Sequence, residues 1–462
     1  MEQQSTQSFP VFRAIGAARR GNLDRLLAVF ADVRAGEGLT VLLLAFTAFL
    51  VFFSYYLIKP VREALVLTEQ SANIAAYAAG AQALLLLAVV PAFGRLASHV
   101  RRQALITWVT LFFASHLVLF YALGKAGVRE AVAFFVWLGV FNTIVPAMLW
   151  GFANDLYTES QGRRLFPLIG AGATIGALGG AASVSALIER VGVYELMLVT
   201  AGIVSLTIIL VRIVNRRVGG RAVVNGREEQ ERPLERAGGF QLIFRERYLL
   251  LIALLVVLLN VVNTNGETLM RKLVAADAVQ AGITDPRAMR VYIGEFYGHV
   301  QIWTNLLGVA MQAFLVSRIF HYIGVRGSLF VLPLLAFTGY SIAAAAPVLA
   351  LVRVVKIIEN GSDYTLQNTA GQALFLLTSR EAKYKAKAAI DSFFMRGGDV
   401  FAAGVVFAAS RAELSVAQFA AVNATLTVIW LGIVVMICRE HKRRTERTAI
   451  AAGAREETEP AA

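Results

Sequence analysis

Apolar residues run along this chain in long, unbroken blocks separated by short charged stretches. Residues 41–58 read VLLLAFTAFLVFFSYYLI and carry no charge. A helix that crosses a bilayer needs roughly 20 such residues. Comparable blocks lie near 72–93, 104–123, 131–153, 165–188, 195–214, 248–266, 296–317, 328–346, 347–377, 388–410 and 415–438. The pattern predicts about twelve spanning helices. The runs are continuous rather than alternating, which predicts helices and not a β-barrel.

The polar positions divide these helices. Residues 215–241 are rich in Gly, Arg and Glu and have no apolar period. They read as a cytoplasmic linker over 215–247, between a six-helix half at 39–214 and another at 248–438. Segments 1–38 and 439–462 flank them as cytoplasmic ends. The expected fold is therefore an all-α polytopic membrane protein in two six-helix halves. That is the plan of a major-facilitator-like transporter, whose halves are parallel repeats. Weak symmetry agrees: Lys59, Arg62 and Glu63 lie late in the first span, and Glu267, Arg271 and Lys272 lie late in the seventh.

Composition supports this reading. The chain is 57% hydrophobic and 16% charged, with mean hydropathy +0.62. That is too little charge to cover a soluble core of this size. The net charge of +13 raises nucleic acid as a partner. Its distribution argues against that. Basic residues crowd alternate loops, as at Arg101 and Arg102, Arg163 and Arg164, nine arginines from Arg212 to Arg247, and Arg439 to Arg444. The opposite loops are sparse, with Lys125, Arg129, Arg190 and Arg411. This alternation is the positive-inside pattern and predicts that both termini are cytoplasmic. The single cysteine, Cys438, excludes an internal disulfide framework. The N-terminal stretch lacks the apolar core of a secretory signal, and it is short and poor in serine for a transit peptide.

Charged residues inside spans cost about 2.5–3.5 kcal/mol at the bilayer centre on insertion scales, so they are functional candidates. In the first span Lys59, Arg62 and Glu63 surround Pro60, which is expected to bend or break the helix. Lys59 and Glu63 stand at i, i+4 and can pair. The plainer alternative is a helix that ends at Ile58, with its basic groups snorkelling to the surface. In the seventh span Asn263 and Asn265 precede Glu267, Arg271 and Lys272. Such amides suggest unwinding around a polar ligand, or else glue between helices. The tenth span carries Lys356, Glu359, Asn360 and Asp363, where Lys356 faces either a substrate anion or its own helix neighbours at helical spacing. Asn154 and Asp155 close the fourth span, and Asp155 is expected to cap the next segment or bridge to Arg163 or Arg164. Gly172, Gly176 and Gly180 repeat at small-xxx-small spacing, which favours close helix packing over nucleotide chemistry. Glu295 opens the eighth span, either lining its mouth or carrying a proton. Arg396 and Asp399 are expected to serve packing and gating. No metal cluster, catalytic triad or ATPase motif occurs, so the chain is read as a non-enzyme without a cofactor, driven by gradients or exchange.

Three stretches carry a resemblance. Residues 55–68 (YYLIKPVREALVLT), 150–173 (WGFANDLYTESQGRRLFPLIGAGA) and 364–391 (YTLQNTAGQALFLLTSREAKYKAKAAID) together resemble the ADP,ATP carrier family of intracellular bacteria and plastids. Residues 266–273 (GETLMRKL) fit the same family's seventh span. The resemblance covers most of the chain. It implies a nucleotide transporter in a bacterial inner membrane, acting as a monomer on an anionic small molecule within the lipid bilayer. The family's first-span basic pair falls on Lys59 and Arg62, where Arg62 replaces a lysine, and its acid falls on Glu63. Its seventh-span acid falls on Glu267, followed by Arg271 or Lys272. Where the family has an Asp-Pro-Thr-Lys-Glu motif, this chain reads NTAGQ from Asn368, with Gly371 and Gln372 in place of the lysine and the acid. The resemblance thus implies ATP/ADP-like exchange, loosened by that departure. The expected substrate contacts are Lys59, Arg62, Glu63, Asn154, Asn263, Asn265, Glu267, Arg271, Lys272, Lys356, Asn360 and Asn368. One alternative is a proton-coupled facilitator for a non-nucleotide solute, using Glu63, Glu267 or Glu295. Another is a membrane scaffold, which the buried charges oppose.

Overall fold

The computed structural model describes residues 21–27, 33–157, 159–218, 239–375, 378, 382 and 386–456. The side chains of Arg163, Arg380, Lys383 and Lys385, and most of the linker, lie outside the described residues. No strand occurs among the described residues. The helices are α1 (Asn22–Leu27), α2 (Gly38–Glu69), α3 (Ala72–His99), α4 (Arg102–Lys125), α5 (Ala131–Leu156), α6 (Glu159–Arg190) and α7 (Glu195–Arg217). They continue as α8 (Gly239–Arg245), α9 (Arg247–Gln280), α10 (Pro286–Ala310), α11 (Val316–Ala345), α12 (Leu349–Ser362), α13 (Asn368–Leu374), α14 (Met395–Arg411) and α15 (Val416–Glu456). Ten of the described helices are long and apolar enough to cross a membrane. The expected eighth and tenth spans, which fall on α10 and on α12 with α13, are not among these ten, because charge and amides lower their hydropathy.

Several boundaries differ from expectation. The eighth pass starts at Pro286, well before residue 296, because Asp285 caps it (Ala288 N donates to Asp285 Oδ2 at 2.7 Å) and Pro286 supplies a pre-set φ. Short π segments, Met311–Leu315, Asp363–Gln367 and Ile390–Phe394, interrupt the later helices. Helix α11 is kinked at Gly324, whose φ of 65° and ψ of −177° belong to glycine. The expected linker ends in α8, and the expected tail continues α15 to Glu456 with charged pairs such as Arg444–Glu246 at 3.2 Å.

The chain forms two compact units. The first takes Met1–Lys59, Ala92–Arg129 and Val140–Glu231. In lipid there is little hydrophobic drive between helices, so close van der Waals packing must hold them. Gly172, Gly176 and Gly180 supply it. A Cβ at each would lie 2.1, 2.2 and 2.4 Å from the carbonyl oxygens of Ala45, Phe49 and Phe53. The stripe therefore sets α6 directly on the backbone of α2, as its spacing predicts. Glu37, buried before α2, accepts from Arg34 N, Gln161 Nε2 and both Arg164 Nη atoms at 3.0–3.3 Å. Asp155 pairs with Arg102 at 3.2 Å rather than with Arg164, which is engaged by Glu37; the expected Arg163 partner lies outside the described side chains.

The second unit takes Pro60–Pro91, Glu130–Gly139 and Arg232–Ala462. Its core gathers around α9, with Tyr248, Tyr340, Phe419 and Trp430 almost wholly buried. Glu69 caps α5 by accepting from Glu130 N at 2.9 Å and Ala131 N at 3.0 Å. Glu130 itself is only 4% exposed. Burial, reinforced by the Glu69 charge, pushes its carboxyl up to about 7.

Candidate functional site

The polar residues of α9 stand on one helical stripe. Asn263, Glu267 and Arg271 are spaced i, i+4, i+8 and so share a face. The helix was expected to unwind here; instead α9 runs unbroken from Arg247 to Gln280. A bilayer offers freed backbone groups no water, so side-chain amides within an intact helix are the cheaper way to present polarity. Pro60 likewise sits inside a continuous α2 and does not break it.

Along this stripe, two charge clusters form within the second unit. In the first, Glu63 takes two arginines. Arg271 Nε lies 2.7 Å from Oε2 and Nη2 lies 3.3 Å from Oε1. Arg62 donates to Oε1 from Nη2 at 2.5 Å and from Nε at 3.1 Å. The Arg62 guanidinium also stacks 4.2 Å from the Phe135 ring centroid. The expected local Lys59–Glu63 pair gives way to these bonds, because guanidinium–carboxylate contacts are charge-assisted and far stronger than a helical i, i+4 pair. With two guanidinium groups on one carboxylate, the cluster is formally left with an excess positive charge. Tyr297 Oη is buried and has no hydrogen-bond partner among the described residues.

The second cluster centres on Lys356, which is fully buried. Its Nζ donates to Asn263 Oδ1 at 2.6 Å and Glu359 Oε2 at 3.2 Å, and lies 3.6 Å from Glu267 Oε1. Tyr340 Oη donates to Glu359 at 2.5 Å, and Asn360 Nδ2 donates to Glu267 at 3.1 Å. Here acids outnumber the cation. Lys356 thus meets its helix neighbour Glu359, as its spacing allows, together with two groups of α9. Asn360 Oδ1 remains unpartnered among the described residues. Nearby, Asn265 Nδ2 donates to Asn423 Oδ1 at 3.3 Å, Thr264 Oγ1 donates to Asp399 at 3.3 Å, and Arg396 bridges Asp399 at 3.5 Å.

Other expected contacts have surroundings of their own. Lys272, one residue on from Arg271, is turned by about 100° and rests 5.1 Å from the Phe419 ring. Asn368 is exposed and accepts from Gln372 at 3.4 Å. Lys59 and Asn154 belong to the first unit, where Lys59 lies 5.6 Å from the Tyr56 ring and Asn154 is exposed. Sequence reasoning passed over Tyr340, Asn423 and the hydroxyl of Tyr297. The available signal was a polar side chain in mid-span, which is weak without knowledge of what it meets.

Comparison with known proteins places these residues in context. The sequence model of the Major Facilitator Superfamily matches residues 44–380. The chain is 23% identical to ADP,ATP carrier protein 1 of Chlamydia pneumoniae over 343 residues, 65% of this chain and 65% of that protein. It is 23% identical to ADP,ATP carrier protein 1 of Chlamydia muridarum over 378 residues, 71% of this chain and 70% of that one. The match thus spans slightly less than two thirds of the C. pneumoniae relative. Among solved structures, the nucleoside transporter NupG aligns with TM-score 0.60 at 12% identity, covering 88% of this chain and 99% of its own. A POT family transporter in complex with 5-aminolevulinic acid aligns with TM-score 0.63 at 12% identity, covering 88% and 96%. At such identity these structures speak to the fold alone.

Proposed function

The chain belongs to the Major Facilitator Superfamily and is a membrane transporter, and from that premise we propose that it moves a nucleotide or a closely related anionic metabolite by alternating access. The observation that carries this reading is the single carboxylate of Glu63 held between Arg62 and Arg271. Taking charge into a dry interior is expensive, and an excess guanidinium there favours a counter-anion. A phosphate suits it well, because guanidinium groups bind phosphate oxygens bidentately. An arriving anion takes one arginine from Glu63 while the other stays neutralised. Departure of the anion restores the pair. Binding is thereby linked to the contact between the Pro60–Glu69 end of α2 and α9. Asn360 and Tyr297 offer unspent polar atoms for the rest of the substrate.

Curated relatives named ADP,ATP carriers support the nucleotide reading. The arginine-rich loops support a bacterial inner membrane with both termini cytoplasmic. The proposed functional division is the two six-helix halves, 39–214 and 248–438, whose boundary the two compact units do not follow.

The test is counterflow in proteoliposomes with labelled ATP, ADP and other nucleotides. Nucleotide exchange that is abolished in Arg271→Ala and weakened in Arg271→Lys is expected. Absence of nucleotide uptake, or uptake indifferent to both Arg62→Ala and Arg271→Ala, overturns the reading. A second reading has its own observation: Lys356 faces both Glu267 and Glu359, an acid excess suited to carrying a proton. It requires uptake that follows an imposed pH gradient without internal counter-substrate.

A further inference from the structure

The first unit carries a groove between α4 and α7 that the transport reading does not use. At one end it encloses a volume of about 550 Å³ lined by Arg101, Gln103, Trp108, Arg212 and Arg216. Arg212 and Arg216 stand one helical turn apart on the same face of α7. All three arginines are exposed, and no ion pair is formed by any of them among the described residues. Their neighbour Arg102 is different: it is engaged by Asp155 and by Asn215. The first turn of α4 has no side-chain cap, so its N–H groups also remain available.

A second space adjoins this basic end. Of about 640 Å³, it shares Trp108 and Leu111 with the first, then runs over Phe112, Val118, Leu198 and Gly202. Gly202 has nothing within 4 Å of where a Cβ would stand, which leaves the trough open on the α7 side. From Arg101 to Val118 the groove is about 25 Å long at 1.5 Å per residue. One leaflet with its headgroups is about 20–22 Å thick. Trp108, 70% exposed, stands between the basic end and the apolar trough. An indole prefers that depth.

We propose that this groove is a binding site for an anionic glycerophospholipid, with its phosphate held by Arg101, Arg212 and Arg216 and one acyl chain laid along the α4–α7 trough. Charge selects the headgroup, since each arginine near a membrane surface attracts anionic lipid. The trough selects a lipid over free phosphate.

Native mass spectrometry of the full-length protein, taken from vesicles of equal phosphatidylglycerol and phosphatidylcholine, tests this. Retention of phosphatidylglycerol over phosphatidylcholine is expected. Affinity should fall on the order of a hundredfold in the triple variant Arg101→Gln, Arg212→Gln, Arg216→Gln. Arg217→Gln, which removes a nearby charge outside the groove, should leave retention unchanged. Equal retention of the two lipids overturns the proposal. So does displacement of the lipid by inorganic phosphate alone, or a loss in Arg217→Gln as large as that in Arg216→Gln. The arginines are exposed, so a thermal melt matching wild type confirms that the variants are folded.

Discussion

Glu63 and Arg271 stand 208 positions apart in the chain and meet in a buried, two-bonded ion pair, with the shorter bond at 2.7 Å. Glu63→Gln leaves two guanidinium groups in a dry interior without their carboxylate and should destabilise the protein by about 3–5 kcal/mol. Arg271→Gln should cost less, because Arg62 still neutralises Glu63. The double variant should lose less than the sum, because it strands one guanidinium rather than two. Thermal melts in detergent across the double-mutant cycle measure the coupling. Additive losses would show that the pair is not energetically joined.

A tyrosine hydroxyl occupies the space that a side chain would need at Gly266. A Cβ there would lie 1.9 Å from Tyr340 Oη, and Tyr340 is fully buried. Gly266→Ala must push that hydroxyl away from Glu359, at a cost of about 1–3 kcal/mol. Adding Tyr340→Phe should recover part of the loss. Paired melting curves check this; no recovery would place the strain elsewhere.

Two glycines of α6 should respond in opposite ways. Gly176 faces the Phe49 carbonyl, whereas Gly170 has nothing within 4 Å of its would-be Cβ. Gly176→Val should yield little monodisperse protein on size exclusion. Gly170→Ala should be neutral, or stabilising by up to about 1 kcal/mol through helix propensity.

Acidity acts on stability through Glu130. Its folded pKa is raised to about 7 from an ordinary 4.5, so the folded chain holds the proton more tightly than the unfolded chain. The resulting stabilisation is complete below about pH 4.5 and is lost as pH rises through about 7. Wild type should therefore lose more melting temperature between about pH 5 and about pH 8 than Glu130→Gln does. Parallel slopes in the two proteins would contradict this origin.

How far the sequence can be read differs between the spans and the site. Apolar blocks such as 41–58 announced their helices, and the glycine spacing at 172, 176 and 180 announced close packing, because both are local regularities. The site residues Arg62, Glu63, Glu267, Arg271 and Lys356 were visible as charges out of place. Their partners were not. Lys59 is the base at helical spacing from Glu63, yet tertiary structure delivers Arg271 to that acid, and no local rule reaches 208 residues. Pro60 and the amides of Asn263 and Asn265 looked like helix breakers on propensities measured in water. In lipid an intact helix is favoured, since nothing else satisfies the backbone. Tyr340 and Asn423 looked like ordinary span residues until Glu359 and Asn265 were seen to meet them.

The π segment at Asp363–Gln367 has a geometric consequence. A π turn accommodates one residue more than an α turn, so the segment acts as a fixed angular offset between Lys356 upstream and Asn368 downstream. Deleting a single residue within it would return the turn to α geometry and keep the face that everything from Asn368 onward presents, whereas the same deletion in a plain α stretch would swing it by about 100° about the helix axis. The azimuth of the NTAGQ stretch relative to the buried lysine is thus written in the local pitch of the helix, as much as in the identity of the residues it carries.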